Sequence, residues 1–358
     1  MSTILYVLLA ILLLGILITV HEFGHFFAAR LTGIEVMEFA IGFGPKLWSR
    51  KGKSGTTFSL RAIPLGGFCA FYGEDDAKGE TKSDPRAYNN QSVWKRMFSI
   101  IMGPMMNFIL AFVVVVLFYW AGGIQEVVGV EPFISEVMAA GPAYDAGLKD
   151  GDVIVSVDGV NMLDGTTDTL LNTLGSYQEG QPPMQLVIDR GGETIETQLI
   201  PYWNEEESRY MIGVYIGGRY LTELHRVSLG EAFTEGWAYC VYAGGLVFDA
   251  LGQLVQGQGL DNVSGPVGTV SVVTQVVQQN GFEGFISLLV TISINLGIMN
   301  LLPIPGLDGM RFIFTVIEAI RRKPIPQEKE AIIHLCGYAL LFGLMIFFTF
   351  KDVLRLFQ

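Results

Sequence analysis

Charged residues are scarce in this chain. Only 16% of its 358 residues are Asp, Glu, Lys or Arg, whereas 50% are hydrophobic. Soluble globular domains carry about 25% charged residues. The shortage of charge therefore excludes an ordinary soluble enzyme and predicts a membrane protein.

Positive charge and cysteine are also in short supply. The chain has 23 Lys and Arg against 35 Asp and Glu, a net charge of -12, so we expect no nucleic-acid partner. The three cysteines have no C-x-x-C spacing, and their odd number indicates neither a disulfide framework nor a thiolate metal site. They are Cys69, Cys240 and Cys336.

Long apolar stretches are present, and four of them approach the 20 or so residues that a bilayer core demands. The first lacks a basic flank and a cleavage site, so we interpret it as a retained helix and not as a signal peptide. The sequence predicts a polytopic α-helical membrane protein with about four transmembrane helices. The stretches are residues 4–29, 98–120, 285–302 and 331–350.

The connections between these stretches differ in basic residues, and this difference predicts orientation. Residues 30–96 hold eleven Lys and Arg, and residues 303–330 hold five. Residues 121–284 are far longer, yet they also hold five, against 22 acidic residues. We therefore expect the first and third connections to be cytoplasmic and both termini to be extracytoplasmic.

The sequence also suggests a division into four regions. Residues 1–124 contain the first two helices, with alternating residues at 56–74 that favour a β-hairpin next to the membrane. Residues 125–220 alternate short β-rich runs with Gly and Pro turns, which indicates a small strand-rich domain. Residues 221–284 include a stretch that we expect to lie in the interface as an amphipathic helix, and residues 285–358 hold the last two helices.

The sequence "HEFGH" lies at the end of the first apolar stretch. On a helix, His21 and His25 project from one face and can reach a single metal ion, while Glu22 can touch a water molecule on that metal. This is the H-E-x-x-H arrangement of zinc hydrolases, in which a glutamate acts as general base. Polar groups inside an apolar helix are costly, about 2.5–3.5 kcal/mol for each charged group at the bilayer centre, so they indicate a functional site.

A third metal ligand must come from elsewhere in the chain. Asp308, in "NLLPIPGLDG", is our first candidate, because a rise of 1.5 Å per residue places it and His21 at similar depths near the inner leaflet. Pro303 and Pro305 would break the helix there and let the backbone line a cavity. The other histidines, His225 and His334, are the alternatives.

Two asparagines are the next polar groups in the apolar stretches. Asn300 precedes the two prolines, and Asn107 follows a Gly-Pro pair in the second stretch. Each could donate to the oxyanion that forms during amide hydrolysis, or could make a hydrogen bond between helices. The sequence alone leaves both roles open.

These motifs resemble the bacterial site-2 protease family of intramembrane zinc metalloproteases over nearly the whole length. The resemblance implies that His21, His25 and Asp308 hold Zn²⁺ and that Glu22 is the base, assisted by Asn300 and Asn107. Residues 41–49 and 63–68 resemble the family's membrane-associated β-elements, which are thought to pair with an unwound substrate. Their glycines are the candidate substrate-binding residues: Gly42, Gly44, Gly66 and Gly67.

Residues 131–160 match the bacterial PDZ pattern, so we expect the inserted extracytoplasmic domain to be a single α+β PDZ domain that binds an extended peptide segment. The matching residues are Pro142, Ala143, Ala146, Gly147, Leu148, Gly151, Asp152 and Ile154.

The resemblance implies a multi-pass protein of the bacterial cytoplasmic membrane that cleaves transmembrane segments of pre-trimmed proteins. Anti-sigma factors and signal-peptide remnants are the expected substrates, and the lipid bilayer is a further expected partner. A noncatalytic PDZ-bearing membrane scaffold is the alternative, and it would be favoured by an altered ligand position, which this chain does not have. A metal transporter would spread its polar residues through the membrane, whereas here they cluster at one depth.

Overall fold

A computed structural model describes residues 3–74, 80–81, 83–163, 167–205, 207–259 and 263–355. The chain divides into two compact units. We call Met1–Ala121 with Ser228–Gln358 the membrane unit, and Gly122–Val227 the inserted domain. The predicted boundary of the strand-rich region, 125–220, falls inside the second unit, but the four-region division remains a prediction.

The membrane unit consists mainly of helices. A short 3₁₀ turn, Tyr88–Asn90, precedes the second of them. The helices are α1 (Thr3–Thr32), α2 (Val93–Gly122), α5 (Leu229–Val255), α6 (Pro266–Leu301), α7 (Asp308–Arg321) and α8 (Gln327–Arg355). Its two strands are β1 (Val36–Lys51) and β2 (Thr57–Phe71).

Five helices in the described part of the chain are long and apolar enough to cross a membrane, namely α1, α2, α5, α6 and α8. The expected number of about four is therefore not confirmed. The difference is α5, which the sequence analysis placed in the interface because Gly, Gln and acidic residues interrupt its apolar pattern. In the structure, Ala232, Gly236 and Ala243 are its buried positions, and a Cβ on Gly236 would lie 2.8 Å from Val116 of α2. Small residues thus allow α5 to pack closely on its neighbours.

The apolar face of α1 packs against α6. Leu13 and Leu17 are fully buried and cluster with Leu289 of α6. The opposite face keeps large side chains exposed, Leu8 and Leu12 among them, as expected for residues that face lipid. The first half of α1 is therefore held mainly through the stripe that faces α6.

The start of α6 is fixed by the end of α8. The carboxylate of Asp352, a buried residue, accepts a hydrogen bond of 2.7 Å from the backbone N–H of Gly268 in the first turn of α6. A carboxylate at a helix N-terminus also interacts favourably with the helix dipole. Farther along, Gly281 takes non-helical angles (φ 57°, ψ -134°) and bends α6, so its second half forms the span that the sequence predicts at 285–302.

The two strands of the membrane unit bend back on themselves. Residues 38–41 of β1 pair with residues 67–70 of β2 on one side and with residues 57–60 on the other. The later part of β1 pairs only with the first part of β2, through a turn at 52–56. Residues 67–71 have partners on one side only among the described strands, so they form a free edge.

The inserted domain is built on a sheet with strand order β10-β3-β4-β6-β7, and β5 pairs with β4 outside this order. Its strands are β3 (Ile124–Val137), β4 (Val153–Val157), β5 (Val160–Asn161), β6 (Met184–Arg190), β7 (Glu193–Leu199), the β8–β9 hairpin (Tyr202–Asn204, Arg209–Met211) and β10 (Val214–His225). Two helices, α3 (Pro142–Asp145) and α4 (Thr167–Gly175), complete it. Alternate residues of β4 and β6, such as Ile154 and Ile188, fill one core with Leu170 of α4.

A buried ion pair holds β4 to β6. Asp152 is almost fully buried and accepts hydrogen bonds of 2.7 and 2.8 Å from Arg190, and one of 2.8 Å from the backbone N–H of Lys149. Burial opposes ionisation of this carboxyl, but the hydrogen bonds from Arg190 and Lys149 outweigh burial and keep its pKa below the ordinary value. The pair therefore stabilises the domain above the pKa that Asp152 has in the unfolded chain.

We expect Asp152→Asn to accelerate hydrogen exchange of the β4 and β6 amides about tenfold or more in the full-length protein, because charge-assisted hydrogen bonds to a buried group are lost. In the unsubstituted chain, the same amides should lose protection as pH falls through the lowered pKa of Asp152. Asp145→Asn, at the end of α3, is the matched control. Unchanged exchange in Asp152→Asn would show that the pair does not stabilise the sheet.

Candidate metal centre

Helix α1 presents His21 and His25 one turn apart on its buried face. The two side chains are 8% and 7% exposed, and their Nε2 atoms lie 3.2 Å apart. Both imidazoles therefore point at one place inside the membrane unit, as the spacing predicts.

Asp308, from the C-terminal part of the membrane unit, lies at the same place. Helix α6 ends at Leu301, a loop with Pro303 and Pro305 follows, and Asp308 is the first residue of α7. Its Oδ2 lies 3.0 Å from Nε2 of His21 and 3.2 Å from Nε2 of His25. The structure thus brings together the three residues that the sequence analysis proposes as ligands.

The tautomer of His25 is set by a backbone carbonyl. Its Nδ1–H donates a hydrogen bond of 2.8 Å to the carbonyl oxygen of Ser99 in α2. Nε2 must then carry a lone pair and no proton. This contact was not foreseen from the sequence, because a backbone carbonyl has no residue-specific signal.

The three converging atoms are all electron-pair donors. Oδ2 of Asp308 is buried and has no hydrogen-bond donor among the described residues. The edges of the triangle, 3.0, 3.2 and 3.2 Å, are close to the ~3.3 Å between ligands of a tetrahedral zinc ion with bonds of ~2.05 Å. Without a cation these lone pairs would repel one another, so the residues fit a zinc ion with a fourth position left open.

His21 has a polar neighbour on its other side. Nδ2 of the fully buried Asn107 lies 3.2 Å from Nδ1 of His21, and Oδ1 of Asn107 has no partner among the described residues. Rotation of the terminal amide by 180° exchanges the two atoms. Oδ1 then accepts the Nδ1 proton that a ligating His21 carries, as outer-shell partners of zinc histidines do. This contact favours an orienting role for Asn107 over an oxyanion role.

Two glycines allow α1 and α2 to cross at the metal centre. A Cβ on Gly24 would clash with the carbonyl of Met102, and a Cβ on Gly103 would clash with the imidazole of His25. Pro104, the next residue, interrupts the hydrogen-bond ladder of α2. The "GP" of α2 therefore does more than permit helix packing, because it makes room for the imidazole of His25.

The loop that carries Asp308 rests on α8. The backbone N–H of Gly306 donates a hydrogen bond of 3.0 Å to Nδ1 of His334, and Gly306 has a positive φ of 99°. A Cβ on Gly337 would clash with the carbonyl of Pro305. His334, an alternative ligand in the sequence analysis, is thus a hydrogen-bond acceptor for the ligand loop. His225 belongs to the inserted domain.

An ion pair ties α7 to the end of β2. Arg311, one turn after Asp308, forms a salt bridge with Glu74, which follows the last residue of β2 by three positions. The sequence analysis missed Arg311, although its position at i+3 from Asp308 places both on one face of α7. The pair links the helix that starts with Asp308 to the free strand edge.

The remaining predicted residues are four glycines of β1 and β2 and Asn300. Gly67 lies beside Glu22, because a Cβ at this position would be 3.1 Å from Cγ of Glu22 and 3.3 Å from Ile18. Gly42, Gly44 and Gly66 have positive φ values of 88°, 83° and 120°, which explains them as bends in β1 and β2. Asn300 donates its side-chain amide to the carbonyl of Leu296 in its own helix, at 3.0 Å, and its predicted catalytic role remains untested.

The model of peptidase family M50 matches residues 9–344. The chain belongs to this family. It is 35% identical to a protein of Clostridium acetobutylicum that is provisionally named a zinc metalloprotease, with 97% of each chain covered. It is also 32% identical to the regulator of sigma-W protease RasP of Bacillus subtilis, over 97% of this chain and 98% of RasP. Among solved structures, the PDZ domain of an SdrC-like protein of Listeria monocytogenes covers 25% of the chain and 87% of that domain, at 19% identity and a TM-score of 0.22, too low to carry an argument.

This M50 peptidase is an intramembrane zinc metalloprotease. When bound, the zinc ion polarises the scissile carbonyl and acidifies a water molecule. The chain's own contribution is a buried set of three converging donor atoms, with Nδ1 of His25 directed at the carbonyl of Ser99.

We expect Gly103→Ala to weaken zinc binding about 10- to 100-fold, because its Cβ would displace the His25 ring from Ser99 and from Asp308. The measurement is zinc retained by the purified protein in competition with a chelator. Gly15→Ala is the matched control, since Gly15 is also a glycine of a spanning helix and has open space for a Cβ. Equal zinc retention in both variants would contradict the close crossing of α1 and α2 at Gly103.

His334→Ala should lower zinc affinity about tenfold, because the N–H of Gly306 loses its acceptor and the loop that holds Asp308 loosens. His334→Asn should restore most of the affinity, since its Oδ1 can accept from the same N–H. The same competition experiment serves, with folding checked by circular dichroism. If the alanine and asparagine variants bind zinc equally, the hydrogen bond does not position Asp308.

Proposed function

We propose that His21, His25 and Asp308 hold the zinc ion and that Glu22 is the general base for cleavage of a peptide bond within a transmembrane segment. The observation that carries this assignment is the convergence of three electron-pair donors, 3.0–3.2 Å apart, with the acidic side chain of Glu22 on the same turn of α1 as the two histidines. Each ligand comes from a motif that the family match covers.

Glu22 would move the proton in this reaction. Its carboxylate takes a proton from the attacking water and delivers it to the nitrogen of the leaving amide. Its neighbours support this role, because the Glu22 side chain packs beside Gly67 and not in lipid. Asn107 would orient His21, and Asn300 is the candidate for stabilising the oxyanion.

The substrate would be held as an extended strand. The carbonyls of a helical segment are engaged in hydrogen bonds, so a helix must unwind before it can be cut. The free edge at 67–71 of β2 offers unpaired backbone groups next to Glu22, and a substrate could add there as a further strand. In this role Gly67 would admit the substrate backbone, while Gly42, Gly44 and Gly66 shape the sheet.

The inserted domain would be an extracytoplasmic PDZ domain. The motif at residues 131–160 supports this assignment, and so does a sheet whose edge strand, β10, lies near α4 and pairs on one side only among the described strands. An extended peptide could add to this edge. The distribution of basic residues supports a cytoplasmic position for β1 and β2 and extracytoplasmic termini in a bacterial cytoplasmic membrane.

The substrates would be membrane proteins whose outer part has already been removed. Anti-sigma factors fit this class, and the relative RasP is a protease whose name describes it as a regulator of sigma-W. Signal-peptide remnants fit it as well. A noncatalytic PDZ-bearing scaffold is the alternative function. Such a scaffold would leave the convergent donor set and the carboxylate beside it without a role.

We expect Glu22→Gln to retain about one zinc ion per chain and to lower the cleavage rate of a model single-span substrate at least 10²–10⁴-fold, because proton transfer is lost while the ligands are intact. Zinc is measured by elemental analysis, and cleavage is measured in detergent or nanodiscs. Glu235→Gln, which removes an exposed carboxylate from α5, is the matched control.

Two results would count against the proposal. Cleavage that survives in Glu22→Gln would remove Glu22 as the base. Repeated failure of the zinc-loaded, unsubstituted protein to cleave a panel of trimmed single-span substrates would favour the scaffold.

A further inference from the structure

Positive charge is concentrated in the bent sheet of the membrane unit. Residues 39–73 contain five basic residues and no acidic residue, although the chain has a net charge of -12. These residues form most of β1, the turn at 52–56 and all of β2. The five are Lys46, Arg50, Lys51, Lys53 and Arg61.

Two of the five cations share one acidic partner. Glu38 accepts hydrogen bonds from Lys46 at 3.1 Å and from Arg61 at 2.8 Å. Within the described part of the chain, no acidic side chain pairs with Arg50, Lys51 or Lys53, and all three residues are exposed. We call these three the turn cations.

The pairing register gives the depth of each part of the sheet relative to α1. Gly67 lies against Ile18 and Glu22, which are more than two turns from the end of α1. Gly67 pairs with Ile41. Lys51 pairs with Thr57, which also pairs with Glu38, near the start of β1. Since β1 begins four residues after α1 ends, the turn cations lie near the end of α1, about 10 Å along the strands from the level of Gly67.

Apolar side chains occupy the deeper part of the same sheet. From Phe43 to Lys51 every residue is exposed, so neither face of this strand is covered by protein. Phe43 and Ile63 pair with each other about two residues beyond the Gly67–Ile41 pair and are 45% and 49% exposed, and Leu47 is 69% exposed. Trp48 pairs with Leu60, the other partner of Ile41, so it lies at the level of Gly67. Apart from the two cations bound by Glu38, the exposed groups at and beyond this level are mainly apolar and the turn cations lie toward the end of α1, which matches the layers of a lipid leaflet.

We propose that the turn cations bind the phosphate headgroups of anionic lipids on the membrane face where α1 ends, with the apolar part of β1 and β2 inserted among the acyl chains. Charge complementarity favours anionic lipids as the partner of this surface, because such lipids attract juxtamembrane Lys and Arg. The attachment would hold the free edge at 67–71 at the depth of Glu22. The lipid-binding proposal rests on the membrane orientation proposed above and is independent of proteolysis.

Energy transfer from the turn to lipid tests this proposal. Ser54→Cys carries a donor dye in a background with the three native cysteines replaced, and the protein is reconstituted in nanodiscs of phosphatidylcholine and phosphatidylglycerol. Traces of acyl-labelled phosphatidylglycerol or acyl-labelled phosphatidylcholine serve as acceptors. Each cation strengthens attraction to an anionic surface about fivefold, so transfer should show at least threefold enrichment of phosphatidylglycerol at the turn.

The variant R50Q/K51Q/K53Q should lose this enrichment. The matched control R321Q/R322Q/K323Q, which removes three basic residues at the end of α7 and directly after it, should keep it. Equal transfer to both lipids in the unsubstituted turn, or enrichment that persists in R50Q/K51Q/K53Q, would overturn the proposal. If the cysteine-free background does not fold, native mass spectrometry of the otherwise unsubstituted protein and of R50Q/K51Q/K53Q decides, because only the former should retain an excess of phosphatidylglycerol.

Discussion

The metal centre depends on holding three electron-pair donors against one another inside an apolar helix bundle. Such an arrangement is unfavourable unless a cation joins the donors and their other polar atoms are satisfied. The carbonyl of Ser99 in α2 accepts from His25, and the imidazole of His334 in α8 accepts from the N–H of Gly306 in the loop that carries Asp308. The site therefore depends on the positions of both α2 and α8.

Small residues are what make these backbone contacts possible. Gly24 and Gly103 let α1 and α2 approach until a carbonyl of one helix meets an imidazole of the other, and Gly337 lets the ligand loop lie directly on α8. Close approach of helices is the normal packing mode in membranes, where no hydrophobic effect drives helices together. In this bundle the same approach also desolvates the donor set, which strengthens every electrostatic interaction within it.

Much of the site follows from the sequence, because its elements are local. The spacing of His21 and His25 fixes their common face, and counting residues along two helices gives Asp308 a matching depth. Partners that are backbone atoms leave no trace in side-chain identity, so Ser99 and the acceptor role of His334 emerged only from the structure. The sequence predicts the α5 helix, but as an interfacial helix, because its glycines and alanines lower the apparent hydrophobicity while allowing close packing on α2 and α6.

The strand edge beside Glu22 sets a length requirement for any substrate that pairs with it. Five residues along the edge at 67–71 span about 16 Å when extended, whereas five residues of a helix span about 7.5 Å. Unwinding such a segment therefore lengthens the substrate by roughly 9 Å, and part of its remaining helix must shift along the membrane normal. A span with a bulky folded domain at each end cannot make that shift without dragging a domain against the bilayer. A span that has already lost one of its domains can make the shift. The geometry of the strand edge itself therefore favours trimmed substrates.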